Sequence, residues 1–244
     1  MLLKPISMLR KASGGGAAGL SVLLAPTARI EDSTNNITAY SSSAFTAQTG
    51  SNRLMLIAVG GWVPGTSTDT TISSITYGAQ AATEVVNRDV TPAEVGFGLF
   101  YIKEADIPAG SNQLTVNWSF NSRSCTAVVL ELAGVDQTTP VPTTGTLEET
   151  TIFAGTALTP GVTTANADSY LVSAMAYQGG DSPHTLACTE GTEGIATTGT
   201  STSTDSSGGM AYELIATAGA ETHTWTSDLT AKDGAAVAIE VKAA

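Results

Sequence analysis

The chain has 244 residues, of which 42% are hydrophobic and only 13% charged, with a formal net charge of −12. That length suits one large β domain or two ordinary ones, and a charged share about half the usual one excludes a disordered chain or a charge-laced helical bundle. No apolar run approaches the roughly 20 residues that cross a bilayer as a helix, so no membrane partner is expected; an acidic body repels phosphate backbones, so no nucleic-acid partner is expected either.

The opening stretch, "MLLKPISMLRKASGGG", has the opposite character. Lys4, Arg10, Lys11 and Arg29 all precede the first acid, Glu31, which leaves all 22 acids in the remainder. "LSVLLA" after a basic stretch imitates a secretory leader, but "GGGAAG" breaks its apolar centre. The expectation is a retained, extended anchoring arm over residues 1–30, hinged at Gly14 to Gly16. Leu2, Leu3, Ile6, Met8 and Leu9 are its apolar anchors, and Lys4, Arg10 and Lys11 its charged ones. Next comes "EDSTNN" at Glu31 to Asn36, whose loop oxygens suit calcium but lack the spacing of an EF-hand, so no metal or cofactor is assigned.

From there the chain reads as short runs rich in β-branched and aromatic residues, separated by Gly, Pro, Asn, Asp and Ser. In order these are "NITAYSSSAFTA", "NRLMLIAVGGW", "TISSITYG", "AATEVVN", "VGFGLFYIK", "NQLTVNWSF", "CTAVVLELAG", "SYLVSAMAY", "HTLACT", "GMAYELIATA", "THTWTS" and "AAVAIEVKA". "LTVNWSF" alternates, which places Leu114, Val116, Trp118 and Phe120 on one inward face. "LMLIAV" and "AVVLEL" are nearly continuous apolar runs, the pattern of central strands covered on both faces.

The chain also repeats itself weakly. "GFGLFYIKEADIPAGSNQLTVNWSF" followed by "TAVVLEL" parallels "GGMAYELIATAGAETHTWTS" followed by "AAVAIEV". Tyr101 corresponds to Tyr212, Trp118 to Trp225 and Glu131 to Glu240. The halves span about 35–137 and 151–244, with "VDQTTPVPTTGTLEETT" as the crossover. Each half is too thin to cover its own sheet faces. The fold expected over 31–244 is therefore an all-β, two-sheet antiparallel β-sandwich, jelly-roll-like and built from two pseudo-equivalent halves.

Chemistry-bearing motifs are sparse. No G-x-S-x-G elbow, P-loop or dinucleotide fingerprint is present. His184 and His223 lack partners at ligand spacing, and His223 in "THTWTS" reads as a surface or edge-strand residue. Cys125 and Cys188 read as free thiols. Acids are numerous enough for a carboxylate pair, but Glu131 and Glu240 occupy parallel places that suggest a shared outward-facing role. Trp118 and Trp225 read as core; Trp62, ending a strand, is the candidate exposed platform for a glycan. No catalytic residue emerges, and an enzyme is not expected.

Three pieces of sequence resemble a family. Ser74 to Gly78 ("SITYG"), Ile107 to Ser111 ("IPAGS") and Gly134 to Gln137 ahead of Thr-Thr-Pro are similar to a β-sandwich module of tailed-bacteriophage virion proteins, found also in some bacterial surface proteins. The resemblance implies a sandwich fold and a non-enzymatic structural role in the virion, as a capsid decoration or cement protein or a head spike, assembled in the host cytoplasm. It implies as partner the major capsid protein or another virion protein, and a homo-oligomer within the particle. A tail or fibre component, or a carbohydrate-binding module for host surface glycans, is the alternative.

Overall fold

The computed structural model describes residues 19–34, 36–62, 71–90, 95–145, 148–150, 157–178, 186–197, 206–227 and 234–244. The first half contributes β1 (Ser21–Asp32), β2 (Ile37–Ser41), β3 (Phe45–Thr46), β4 (Leu54–Trp62), β5 (Ile72–Tyr77), β6 (Gln80–Ala81), β7 (Thr83–Val90), β8 (Val95–Lys103), β9 (Ser111–Asn112), β10 (Leu114–Ser122) and β11 (Ser124–Ala133). The second contributes β12 (Thr143–Thr144), β13 (Glu148–Thr150), β14 (Gly161–Thr163), β15 (Ser169–Gln178), β16 (Leu186–Cys188), β17 (Thr192–Thr197), β18 (Ser206–Ile215), β19 (Ala220–Thr222), β20 (Trp225–Ser227) and β21 (Gly234–Val241). Turn chemistry sets the connections: Gly78, at φ 61°, opens the two-residue turn between β5 and β6, a conformation glycine adopts without steric penalty.

The strands form antiparallel sheets. Order β1-β11-β4-β8-β7 makes a five-stranded sheet and β2-β10-β5-β6 a four-stranded one; β12-β21-β15-β18-β17, with β13 also on β21, makes the large sheet of the second half. Two short ladders, β14–β19 and β16–β20, joined by the Leu158–Trp225 bridge, form a broken outer layer on that half. The large sheet of the second half thus repeats the five-stranded sheet of the first, with β12 and β13 together in the place of β1. Glu131 pairs with Met55 as Glu240 pairs with Leu171, and Leu56 pairs with Tyr101 as Val172 pairs with Tyr212. The same register matches Thr83-Glu84 to Thr192-Glu193, a repeated dipeptide that extends the sequence parallel into the edge strands.

Alternation sorts the apolar residues of β4 into two cores. Met55, Ile57 and Val59 pack with Ile75, Tyr77, Leu114, Val116 and Trp118 of the four-stranded sheet. Leu54, Leu56 and Ala58 face Val172, Ala174, Ala176, Val237 and Ile239 of the second half. The central pair of sheets is therefore the expected antiparallel sandwich, one sheet per half, and each half adds one more layer outside it. This explains the continuous apolar runs: β4 and β11 are buried along their full length, and each fully buried Leu, Ile or Met stabilises by roughly 1.5–3 kcal/mol.

The two halves approach closely because small residues line the seam. A Cβ built on Gly60 would lie 2.5 Å from Ala176 Cβ, and one on Gly208 would lie 2.7 Å from Thr126 Oγ1. Ser124 Oγ donates to Ser206 Oγ at 2.9 Å across the same seam. Gly60 pairs with Thr126 and Phe97, and Ala176 with Ala235 and Gly208, so these two residues are repeat equivalents in contact with each other.

Two expectations need correction. Residues 21–30 belong to β1, the edge strand of the five-stranded sheet, so the folded body begins before residue 31. Register shifts at three points and Pro26 make β1 irregular, as suits an edge. Leu114, Val116 and Trp118 point inward, but Phe120 is 46% exposed. The ladder slips between Asn117 and Ser122 on the β2 side and between Asn117 and Trp118 on the β5 side, which breaks the alternation.

Candidate functional site

The anchoring residues Leu2, Leu3, Lys4, Ile6, Met8, Leu9, Arg10 and Lys11 lie outside the described residues. The first described residues, Gly19 and Leu20, line a recess of about 250 Å³ with Asp168 and Leu214. Leu214 is 54% exposed there, one of two large hydrophobic side chains on the surface among the described residues; the other is Phe120.

Trp62 is not a surface platform. It is 6% exposed, and the Arg123 guanidinium lies 4.4 Å from its ring centroid. Pairing with Ser124 and Val95 inserts its strand position between β11 and β8, so the ring is buried where the sequence suggested a strand end. Glycan binding through Trp62 therefore lacks an open ring face. Trp118 and Trp225 are in the core as expected.

His223 also departs from its expected surface position. It is fully buried, and its Nδ1 is 2.7 Å from Ser173 Oγ. Trp225 Nε1, which can only donate, gives its hydrogen to the same Oγ at 2.9 Å. A ring protonated at Nε2 receives the Ser173 hydroxyl hydrogen at Nδ1; a ring protonated at Nδ1 gives its hydrogen to the second lone pair of Oγ. Nε2 has no hydrogen-bond partner; Glu213 Oε2 lies 3.9 Å away. Burial pulls the histidine pKa down to about 4, against the opposing pull of Glu190. Glu190 itself accepts the backbone N–H of Thr224 at 2.6 Å. The repeat makes the cluster informative. Counting back from the paired tryptophans, His223 is the equivalent of Val116, and the register of β15 makes Ser173 the equivalent of Ile57. An apolar pair in one half is a hydrogen-bonded polar pair in the other. Ser173 and His223 resemble part of a nucleophile–base pair, but both are fully buried and bonded inward, so substrate does not reach them.

Glu131 and Glu240 face inward, contrary to the expected outward role. They are 2% and 0% exposed and hold equivalent loops that lead into β4 and β15. Glu240 accepts the N–H of Ala165 at 2.9 Å and, on its other oxygen, the N–H and side-chain amide of Asn166 at 2.8 and 3.0 Å. Burial acts to raise its pKa, but these donors and Thr143 outweigh burial and hold the carboxyl below the usual glutamate range. Glu131 accepts only the N–H of Gln48, at 2.7 Å, and its Oε1 has no partner. Burial prevails there and pushes the carboxyl up, against Gln48, Arg29 and Arg53.

Both cysteines are free. Burial drives the Cys125 thiol far above its ordinary range and Cys188 up to about 11, so neither is a ready thiolate. Among the described residues no group of three or more His, Cys, Asp or Glu side chains is placed to hold a metal ion. A shallow groove of about 410 Å³ runs between β12 and the β14–β19 ladder, lined by Thr143, Thr144, Thr163, Thr222 and Glu221 among others.

The inward position of His223 was findable, though not its partner Ser173. The matched tryptophans place position 223 on the same inward face as Val116, two residues before each ring. Composition alone hid it, because threonines flank the histidine. No family model, curated protein or solved structure matches the chain.

Proposed function

We propose that this protein is a non-enzymatic structural component of a bacteriophage particle, a capsid decoration or cement protein or a head spike, fastened to a neighbouring virion protein by its basic, apolar N-terminal segment. The observation that carries the reading is the contrast between that segment and the body. Lys4, Arg10 and Lys11 precede a body that holds all 22 acids. In the body, the chemistry-bearing side chains Ser173, His223, Glu131, Glu240 and Cys125 are buried and turned to internal contacts. Layers of antiparallel sheet serve as rigid building material, and the resemblance of the "SITYG" and "IPAGS" segments to virion modules agrees with that use.

Ordering an arm costs about 1–2 kcal/mol per residue, so a partner surface must supply many contacts. Apolar anchors interspersed with cations suit an acidic protein shell. The test is incorporation. Particles assembled with a chain lacking residues 1–18 are expected to lose the protein, while the truncated chain stays folded by circular dichroism. Normal incorporation of the truncated chain overturns the anchoring role.

A further inference from the structure

We propose that His223 is an acid-sensitive latch for the outer layer of the second half, so that acidification loosens β14, β19, β16 and β20 from the large sheet while the matching layer of the first half stays closed. The geometry places the histidine at the break in that layer. Its backbone N–H donates to Pro160 O at 3.1 Å, on the segment between the Leu158 bridge and β14. Its ring reaches through to Ser173 on β15 of the large sheet, and Trp225, two residues on, reaches the same hydroxyl. One serine thus ties the outer layer to the sheet beneath it through two side chains.

Protonation puts a hydrogen on both ring nitrogens. Ser173 Oγ then receives Nδ1–H and Trp225 Nε1–H on its two lone pairs, its own hydrogen must turn to another acceptor, and Nε2–H points to no hydrogen-bond partner. The cation is then fully buried. The charged groups facing it are Glu213 of β18, at 3.9 Å from Nε2, and Glu190 of the turn after β16. Glu193 of β17 is turned to the backbone N–H of Cys188, the Cys188 thiol of β16 stays neutral, and β15 offers only the Ser173 hydroxyl. Glu213 is half exposed and not hydrogen-bonded to the ring, so the buried cation is undercompensated and the open layer, with the ring in water, gains. Opening uncovers the apolar cluster of Leu158, Met175, Tyr177, Leu186 and Trp225. In the first half Val116 and Ile57 occupy the equivalent places and carry no proton, so that layer has no such response.

The sign follows from the lowered pKa. The contribution is complete above the ordinary histidine pKa of 6.5 and is lost as pH falls toward about 4. Between neutral pH and about pH 4.5 the local opening constant is expected to rise about 50-fold. Peptide-resolved hydrogen exchange on the full chain, corrected for the intrinsic pH dependence of amide exchange, reads this directly. Protection of 158–163 and 220–227 should fall by that factor, with 37–41 and 114–122 unchanged. His223→Gln, which still bonds Ser173 but does not titrate, should abolish the response, as should the double change Ser173→Ile with His223→Val. Unchanged wild-type protection, equal loss in both outer layers, or a response that survives in His223→Gln each overturns the latch.

Discussion

The two buried glutamates make opposite predictions from one substitution. In Glu240→Gln the amide oxygen can keep the two donors of Asn166, but the amide NH2 is then turned to the Ala165 N–H, donor against donor. One charge-assisted bond is lost, the bonds from Asn166 and Thr143 fall to neutral strength, and a partly buried N–H is left without its acceptor, which together cost roughly 2–4 kcal/mol. In Glu131→Gln the single bond to Gln48 survives on the amide oxygen, and the burial penalty of a carboxylate disappears. That change is expected to be neutral within about 1 kcal/mol. Urea unfolding with linear extrapolation measures both. The pH dependence sharpens the contrast. The Glu240 contribution is present above the ordinary glutamate range and fades as pH falls through its lowered pKa, so the Glu240→Gln deficit shrinks in acid. Glu131, with its pKa raised, contributes most below the ordinary range and loses that as pH climbs, so Glu131→Gln compares best with wild type at neutral pH. A Glu131→Gln loss as large as that of Glu240→Gln refutes the assignment of these two carboxylates to unequal loop contacts.

Gly60→Val drives a side chain into Ala176 and Thr126 at the seam between halves, so it should destabilise by about 1–3 kcal/mol or more, whereas Gly19→Ala, with open space around it, should be neutral. Equal unfolding midpoints for the two refute the tight seam. Asp136 is held at about 2 by Lys242, 2.7 Å away, and by the N–H groups of Thr138 and Thr139. Lys242→Met should move it up toward the ordinary aspartate value in an NMR titration, and a carboxyl that does not move shows the pair to be incidental.

Much of the fold was legible because it rests on side-chain period. Continuous apolar runs marked β4 and β11, and the matched tryptophans marked β10 and β20. What escaped depends on partners distant in the chain. Residues 21–30 looked like part of a leader because "LSVLLA" follows a basic stretch and no acid precedes Glu31; only pairing with β11 makes them a strand. Glu131 sits in phase with the inward Val129 and Ala127, yet its parallel with Glu240 suggested a shared outward role, because the loop N–H that receives it lies 83 residues away in sequence. His223 shares this difficulty: its inward phase was readable from Trp225, but the serine that makes burial tolerable lies 50 residues earlier.

The contact between Gly60 and Ala176 has a consequence for how the molecule can vary. In a pair of identical chains, a residue at such a spot meets its own copy, and any change in it is made twice at once. Two alanines there would collide, given the 2.5 Å spacing that a second Cβ would have. A single polypeptide that carries both partners escapes that rule, since one position can stay minimal while the other grows. The same freedom lets one half keep Ile57 and Val116 where the other carries Ser173 and His223, so two near-copies of one architecture can answer differently to the same surroundings.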